Sequence, residues 1–224
     1  MSDVARGYVE PAQPAADSGF SLDGAARRVL DIVIAGALMI LLAPLLFVVG
    51  ALVWAQDGGP YLFAHERVGL GGKGFKCLKF RTMLTDSETR LATLLATDPA
   101  ARAEWSRDHT LRNDPRITRL GRFLRRSSID ELPQLLNVLR GEMSLVGPRP
   151  IVQAEVARYG RRISDYTNVK PGITGLWQVS GRNNTTYRRR IALDSVFGRK
   201  VSVGLYLKIL VMTVPAVLLS RGSF

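Results

Sequence analysis

IVIAGALMILLAPLLFVVGALVWA, residues 32–55, is the stretch on which the architecture turns: 24 consecutive residues without a charge. Wound as one α-helix it would be about 36 Å long, more than the roughly 30 Å of a bilayer's hydrocarbon core. It is too long, and begins too late, for a cleaved secretion signal. Pro44 stands near its middle, where it removes a backbone hydrogen bond and favours a kink. Arg27 and Arg28 precede the run, and Arg67, Lys73, Lys76, Lys79 and Arg81 follow it. Basic flanks favour the cytoplasmic side. A helix that dips in and returns at Pro44 satisfies both flanks, whereas a kinked spanning helix satisfies one. The irregular backbone of a return would need cover from neighbouring groups. The residues alone leave the two geometries level.

Working outward, residues 1–24 contain Pro11, Pro14 and several alanines and read as a mobile leader. Residues 25–57 hold the membrane helix, and 58–224 form a domain at the membrane face. Its last apolar segment, residues 201–219, carries Lys208 and Pro215 and reads as an interfacial helix. Residues 61–68 and 75–82 read as paired strands joined by GLGGKG, residues 69–74. That loop is no P-loop, because Phe75 stands where a Lys-Ser/Thr ending is required. Strand alternation would put Lys79 and Arg81 on one face, for phosphate contact or as a solvated basic edge. Residues 86–107 read as a surface helical region interrupted near Pro99. The expected class is α+β, predominantly helical with a small β-hairpin, with a re-entrant or single-span membrane helix and interfacial helices.

The 31 lysines and arginines against 19 acidic residues leave a net charge of +12, which suits anionic partners: nucleic acid, acidic lipid headgroups or nucleotide phosphates. The lone Cys77 excludes an internal disulfide and reads as an inert strand residue. With only His65 and His109, a histidine-based zinc site is not expected.

The chemistry concentrates in Arg125-Arg126-Ser127-Ser128-Ile129-Asp130-Glu131-Leu132-Pro133-Gln134, preceded by Arg112, Arg116, Arg119 and Arg122. One reading is structural. Ser128 and Glu131 form a capping box, Pro133 is tolerated in a first turn, and Leu132, Leu135, Leu136 and Leu139 share a helix face that stops at Gly141. The functional reading adds that a helix start offers N–H groups to an anion, while nearby guanidinium groups keep Asp130 ionised. The two are compatible, since a cap can position a reactive carboxylate. Further on, the two prolines of Gly147-Pro148-Arg149-Pro150 hold Arg149 at small entropic cost for a phosphate contact. Residues 170–182 form a glycine-punctuated loop whose Trp177 belongs either at headgroup level or in the core.

With these pieces in view, the chain resembles the bacterial sugar transferases, monotopic phosphoglycosyl transferases that start glycan assembly on a polyprenol phosphate. The likeness covers about residues 25–220. It rests on Lys79-Phe80-Arg81-Thr82-Met83, Ser128-Ile129-Asp130-Glu131-Leu132-Pro133-Gln134, Gly147-Pro148-Arg149-Pro150 and Pro171-Gly172-Ile173-Thr174-Gly175-Leu176-Trp177-Gln178. The resemblance implies a ping-pong reaction in which Asp130 attacks the sugar-bearing phosphorus of a UDP-sugar, UMP leaves, and undecaprenyl phosphate takes the phosphosugar from the enzyme. It carries Glu131 over as the partner carboxylate, and Lys79, Arg81, Arg125, Arg126 and Arg149 as phosphate-binding residues. Mg²⁺ is the implied cofactor, bound partly through Asp130. The implied place is the bacterial inner membrane with the catalytic domain on the cytoplasmic face, in contact with membrane lipids and without nucleic acid. The implied product feeds exopolysaccharide, capsule or O-antigen synthesis, and no oligomeric state is implied. Two departures stand out. Ala43 precedes Pro44 where the family usually has serine, and Val201, Gly204 and Tyr206 stand where it often has an acidic residue and tryptophans. A non-catalytic, membrane-tethered basic protein for nucleic acid or acidic lipid would explain the charge and the anchor, but not the placing of Asp130 and Glu131. A lipid-headgroup transferase for alcohols would need several spans and spaced aspartates.

Overall fold

The computed structural model describes residues 22–108, 111, 114–181 and 185–218. Residues 1–21 of the expected leader lie outside these, as do His109, Arg112, Arg182 and Leu219. The described residues are predominantly helical and fall into two compact units between which the chain passes several times. One comprises residues 37–64 and 78–135, the other 22–36, 65–77 and 136–218.

The apolar run does not form one helix. Helix α1 (Leu22–Leu41) already includes the last residues assigned to the leader, and α2 (Ala43–Ala55) follows after a bend of 63°. Leu42 sits at the bend with φ −91° and ψ 0°, and hydrogen bonds resume on either side, from Leu42 N to Leu38 O and from Leu46 N to Leu42 O, both 2.9 Å. Pro44 explains the position. It lacks the N–H that would reach the carbonyl four residues back, and it disfavours helical geometry in the residue before it. Ala43 has no hydroxyl to cover the break, so the proline suffices. Among the described residues no single helix is long and apolar enough to cross a membrane; only this bent pair, taken together, is.

The hairpin of β1 (Leu62–Val68) and β2 (Gly74–Phe80) has residues 62–64 and 78–80 in the first unit and residues 65–77, with the turn, in the second. Its turn needs glycine, since Gly71 and Gly72 hold φ of 65° and 76°. Helices α3 (Ser87–Thr97) and α4 (Pro99–Asp108) divide where expected. The Asp98 carboxylate accepts from Ala100 N and Ala101 N, and Pro99 occupies the first helical position, so both start signals coincide. Helix α5 (Arg119–Ser127) is capped by Thr118, whose hydroxyl oxygen accepts from Gly121 N at 2.8 Å. The core of the first unit joins Val49 and Val53 of α2, Phe80 of β2 and Leu124 of α5, with Leu46, Leu62, Leu120 and Ile129 around them.

Helix α6 (Gln134–Arg140) leads into the second unit and ends at Gly141, with φ 83°. Its buried side is Gln134, Leu135, Asn137 and Val138 rather than the leucine stripe expected from spacing, because Leu132 precedes the helix and Leu136 and Leu139 are half-buried. Asn137 is enclosed because its amide donates to Lys76 O and to Glu142. Arg28 of α1 donates to the terminal carbonyls of Val138 and Leu139, supplying the positive charge a helix C-terminus favours.

Strand β3 (Ser144–Val146) pairs in parallel with β4 (Gly172–Thr174), a second sheet too short to show in the sequence pattern. Asp31 of α1 fixes β3: one carboxylate oxygen accepts from Ser144 Oγ at 3.0 Å, Leu145 N at 2.8 Å and Tyr206 OH at 2.8 Å. Tyr206 belongs to α11 (Val203–Leu218), and its side chain faces inward and is fully buried. Before α11 come the short helices α7 (Val156–Tyr159), α8 (Ile163–Thr167) and α9 (Leu176–Val179), then α10 (Tyr187–Lys200). The core here is Val68, Ile151, Tyr159, Tyr166 and Ile191. Tyr166 OH donates to Val68 O and accepts from Ile151 N, so a tyrosine stitches β1 to the segment after Arg149.

Candidate active site

Asp130 and Glu131 are placed by the way α5 ends. Ser128 takes a left-handed conformation, φ 57°, the only non-glycine residue with positive φ among those described. Its N–H bonds to Arg125 O, closing α5, and the chain then makes a single 3₁₀ turn over Ile129–Glu131. The expected capping box is not formed, since the Ser128 side chain caps nothing and α6 begins only after Pro133. Asp130 therefore sits at a tight corner between two helices, and not in the first turn of an α-helix. The corner buries Asp130 to 8% exposure and turns Glu131 toward β2. Glu131 Oε1 accepts from Lys79 Nζ at 2.7 Å, an ion pair screened from most solvent.

Arg125 is the second fixed cation. Its Nε donates to Thr82 Oγ1 at 2.9 Å. Burial lowers its pKa, and the attraction of Asp130 and Asp114 partly offsets that effect. A guanidinium stays charged under such a shift, so Arg125 is a desolvated cation held within the field of Asp130. The approach of α5 to Thr82 is close enough to exclude any side chain at Gly121, where a Cβ would lie 2.0 Å from Thr82 O. Thr118 N also donates to that carbonyl, at 3.1 Å. Behind Arg125, Asp114 receives a bidentate hydrogen-bonded pair from Arg116. Burial raises the Asp114 pKa, but the Arg116 hydrogen bonds win and leave it below the usual carboxylate range.

Two of the expected phosphate residues are placed differently. Strand β2 stops at Phe80, so alternation does not put Arg81 beside Lys79. The Arg81 guanidinium instead forks onto both oxygens of Asp57 and reaches Val53 O, tying the end of α2 to the end of β2. This hydrogen bonding holds the Asp57 pKa below its ordinary value. Arg126 is exposed on the outer side of α5, away from the face that carries Arg125 to Thr82.

In the second unit, Arg149 is carried by a loop with no room for variation. Gly147 N donates to Thr174 O and Gly172 N to Pro148 O, both at 2.8 Å. A Cβ on Gly172 would lie 2.0 Å from Gly147 N, and one on Gly175 2.2 Å from Gly147 O. The strings GPRP and PGITG are thus two sides of one backbone junction. Arg67 of β1 donates to Pro150 O at 3.3 Å. Its pKa is lowered first by burial and further by repulsion from Arg149. Arg67, which the sequence offered only as a basic flank, is brought beside Arg149 by a contact 83 positions apart. Thr82 was quoted in a motif without a role, and it is the residue that orients Arg125.

A profile of the bacterial sugar transferases matches residues 22–220. The chain belongs to the bacterial sugar transferase family. It is 50% identical over 198 residues to the UDP-galactose-lipid carrier transferase of Erwinia amylovora, covering 88% of this chain and 41% of that protein. It is 45% identical to the exopolysaccharide production protein ExoY of Rhizobium meliloti, over 91% of this chain and 90% of that one. It is 42% identical to the UDP-glucose:undecaprenyl-phosphate glucose-1-phosphate transferase of Caulobacter vibrioides, over 88% of this chain and 72% of that one. The chain thus spans about two-fifths of the Erwinia relative and most of the length of ExoY. All four strings quoted above lie inside the matched residues, so the corner, the Lys79–Glu131 pair and the GPRP junction are features of a family member.

Proposed function

We propose that this bacterial sugar transferase moves a sugar-1-phosphate from a UDP-sugar to undecaprenyl phosphate through a phosphosugar-aspartyl intermediate on Asp130. The observation that carries the proposal is a buried carboxylate, Asp130, within the field of the desolvated cation Arg125 and next to a glutamate already neutralised by Lys79. A carboxylate attacks an anionic phosphate only where cations cancel the charge between them. An Asp130 oxygen bonds to the sugar-bearing phosphorus while the bond to the UMP oxygen breaks, and UMP leaves with the electron pair. An oxygen of the polyprenol phosphate then attacks the same phosphorus. The aspartyl bond breaks, the Asp130 carboxylate is restored, and the lipid carries a diphosphate-linked sugar. Lys79 holds Glu131 beside the reacting group and Arg125 stabilises phosphate charge, while Arg149 enters as a phosphate-binding residue on the family resemblance alone.

Among the described residues no group of three acidic, histidine or cysteine side chains could cage a metal. One aspartate with substrate oxygens is nevertheless the donor set Mg²⁺ prefers, so Asp130 fits as a ligand in company with the diphosphate. When bound there, Mg²⁺ would neutralise phosphate charge.

The reading places the chain on the cytoplasmic membrane, with α1 and α2 as a re-entrant pair and the soluble part on the cytoplasmic face. The 63° bend, the basic flanks and the exposure of Phe47 and Trp54 on α2 support it. The relatives' names support galactose or glucose as the sugar and exopolysaccharide as a destination.

The test is UMP release from UDP-galactose, UDP-glucose and their N-acetylated counterparts, with protein in detergent, Mg²⁺ and undecaprenyl phosphate. Lipid-dependent turnover on one sugar, abolished in Asp130→Asn, is expected. Undiminished turnover in the variant would remove the covalent role, and silence across the panel with folded protein would return the chain to the binding-protein reading.

A further inference from the structure

Two cations converge on the corner that ends α6. A Cβ placed on Gly141 would stand 3.5 Å from Arg28 Nη2, 3.6 Å from Lys170 Nζ and 3.8 Å from Arg28 Cζ. Chain neighbours aside, the three atoms nearest that open position all belong to cations. Arg28 spends two N–H groups on the carbonyls of Val138 and Leu139. The Lys170 ammonium has no hydrogen-bond or ion-pair partner among the described residues. Burial lowers its pKa, repulsion from Arg28 lowers it further, and Asp31 partly offsets both.

The acidic groups nearby are already engaged. One Asp31 oxygen accepts from Ser144, Leu145 and Tyr206, Glu142 accepts from the Asn137 amide, and Asp23 pairs with Arg27. Like charges brought to one point repel, and an anion between them removes that cost. Helix α1 says which anion. Arg28 borders two of its faces: Asp31 and Ala35, three and seven positions on, are buried, while Ile32, four positions on, is exposed with Val29 and Val33. The guanidinium and the apolar strip are thus neighbours on one helix. A lipid phosphate answers both, with its charge at the cations and its acyl chains along the strip; a free phosphate or a nucleotide would leave the strip in water.

We infer that Arg28 and Lys170 form, over Gly141, a binding site for the phosphate of a membrane phospholipid, built from residues the proposed chemistry does not use. The lipid source rests on the membrane placement of α1 proposed above, and the site itself does not need the transfer reaction.

The test melts the full chain in a neutral maltoside detergent with dihexanoyl phosphatidylglycerol, dihexanoyl glycerol or inorganic phosphate at matched ionic strength. Phosphatidylglycerol should raise the melting temperature, and the uncharged diacylglycerol should not. Lys170→Gln should need roughly tenfold more phosphatidylglycerol for half of that rise, because a charge-assisted hydrogen bond is lost. Without lipid the variant should melt no lower than wild type, since it relieves the repulsion from Arg28. Lys170→Arg should keep the response, as should Arg188→Gln, which removes equal charge from an exposed site on α10. A response unchanged in Lys170→Gln, or equally lost in Arg188→Gln, overturns the inference. So does a Lys170→Gln variant that melts lower without lipid, which marks a merely structural lysine. Inorganic phosphate as effective as the lipid overturns the lipid source. A chain that stays monodisperse without detergent refutes the membrane placement and the lipid with it, whereas a membrane-bound chain whose lipid response ignores Lys170 refutes this inference alone.

Discussion

Replacing Gly121 by alanine sets two physical arguments against each other. Gly121 lies inside α5, where helix propensity alone makes alanine better by about 1 kcal/mol. The structure demands the opposite sign. The added Cβ would stand 2.0 Å from Thr82 O, and ordinary contact begins at 3.4 Å, so the helix and the segment at Thr82 must part by about 1.4 Å. That shift breaks the 3.1 Å bond from Thr118 N to Thr82 O and the 2.9 Å bond from Arg125 Nε to Thr82 Oγ1. One neutral and one charged hydrogen bond together contribute about 2.5–4 kcal/mol, and residual crowding adds about 1 kcal/mol. After the propensity gain, a net loss of about 2.5–4 kcal/mol remains. Arg125 moves with the helix, and a displacement of about 1 Å in a positioning group costs on the order of 100-fold in rate. Thermal unfolding of the full chain in detergent reads the first effect and UMP release the second. A variant melting at or above the wild-type temperature with unchanged kcat/KM would refute the reasoning, leaving Gly121 tolerated rather than required.

Two further outcomes follow from other contacts, beside the loss of turnover expected in Asp130→Asn. Lys79→Met and Glu131→Gln should each destabilise, and the double variant by about 1–2 kcal/mol less than their sum, because each single change strands a half-buried charge; strictly additive melting shifts would deny the pair. Asp194, buried on α10 and accepting from Tyr159 OH at 2.8 Å, has its pKa pushed up to about 7 by burial. Its folded-state value lies above the ordinary 3.8, so its contribution is full below about pH 4 and lost as pH rises through 7. The wild-type melting temperature should therefore fall from pH 5 to pH 8 and Asp194→Asn should flatten that slope; parallel slopes would mean Asp194 is not the titrating group.

The sequence by itself determined what local chemistry dictates. Twenty-four uncharged residues with Pro44 among them required an apolar helix broken near its middle. Pro99 after Asp98 divided α3 from α4, the glycines at 71 and 72 made the hairpin turn, and Gly141 ended α6, each through backbone preferences that act over a few residues. The Asp130-Glu131 pair stood out as a candidate centre because it is the one place where adjacent carboxylates follow directly on an arginine-dense stretch. Tertiary structure decided the rest. The capping box at Ser128 was a sound local expectation, but closing α5 required Ser128 to turn left-handed, and the corner that resulted is what buries Asp130. Which arginine turns inward was also undecided locally, since neighbours such as Arg125 and Arg126 look alike in sequence. Arg125 faces Thr82 while Arg126 faces outward, Arg81 is claimed by Asp57, and Arg67 comes to Arg149 through a contact 83 positions apart. Periodicity over a few residues fixes which helices and turns exist, but a side chain's role is set by the long-range partner that reaches it.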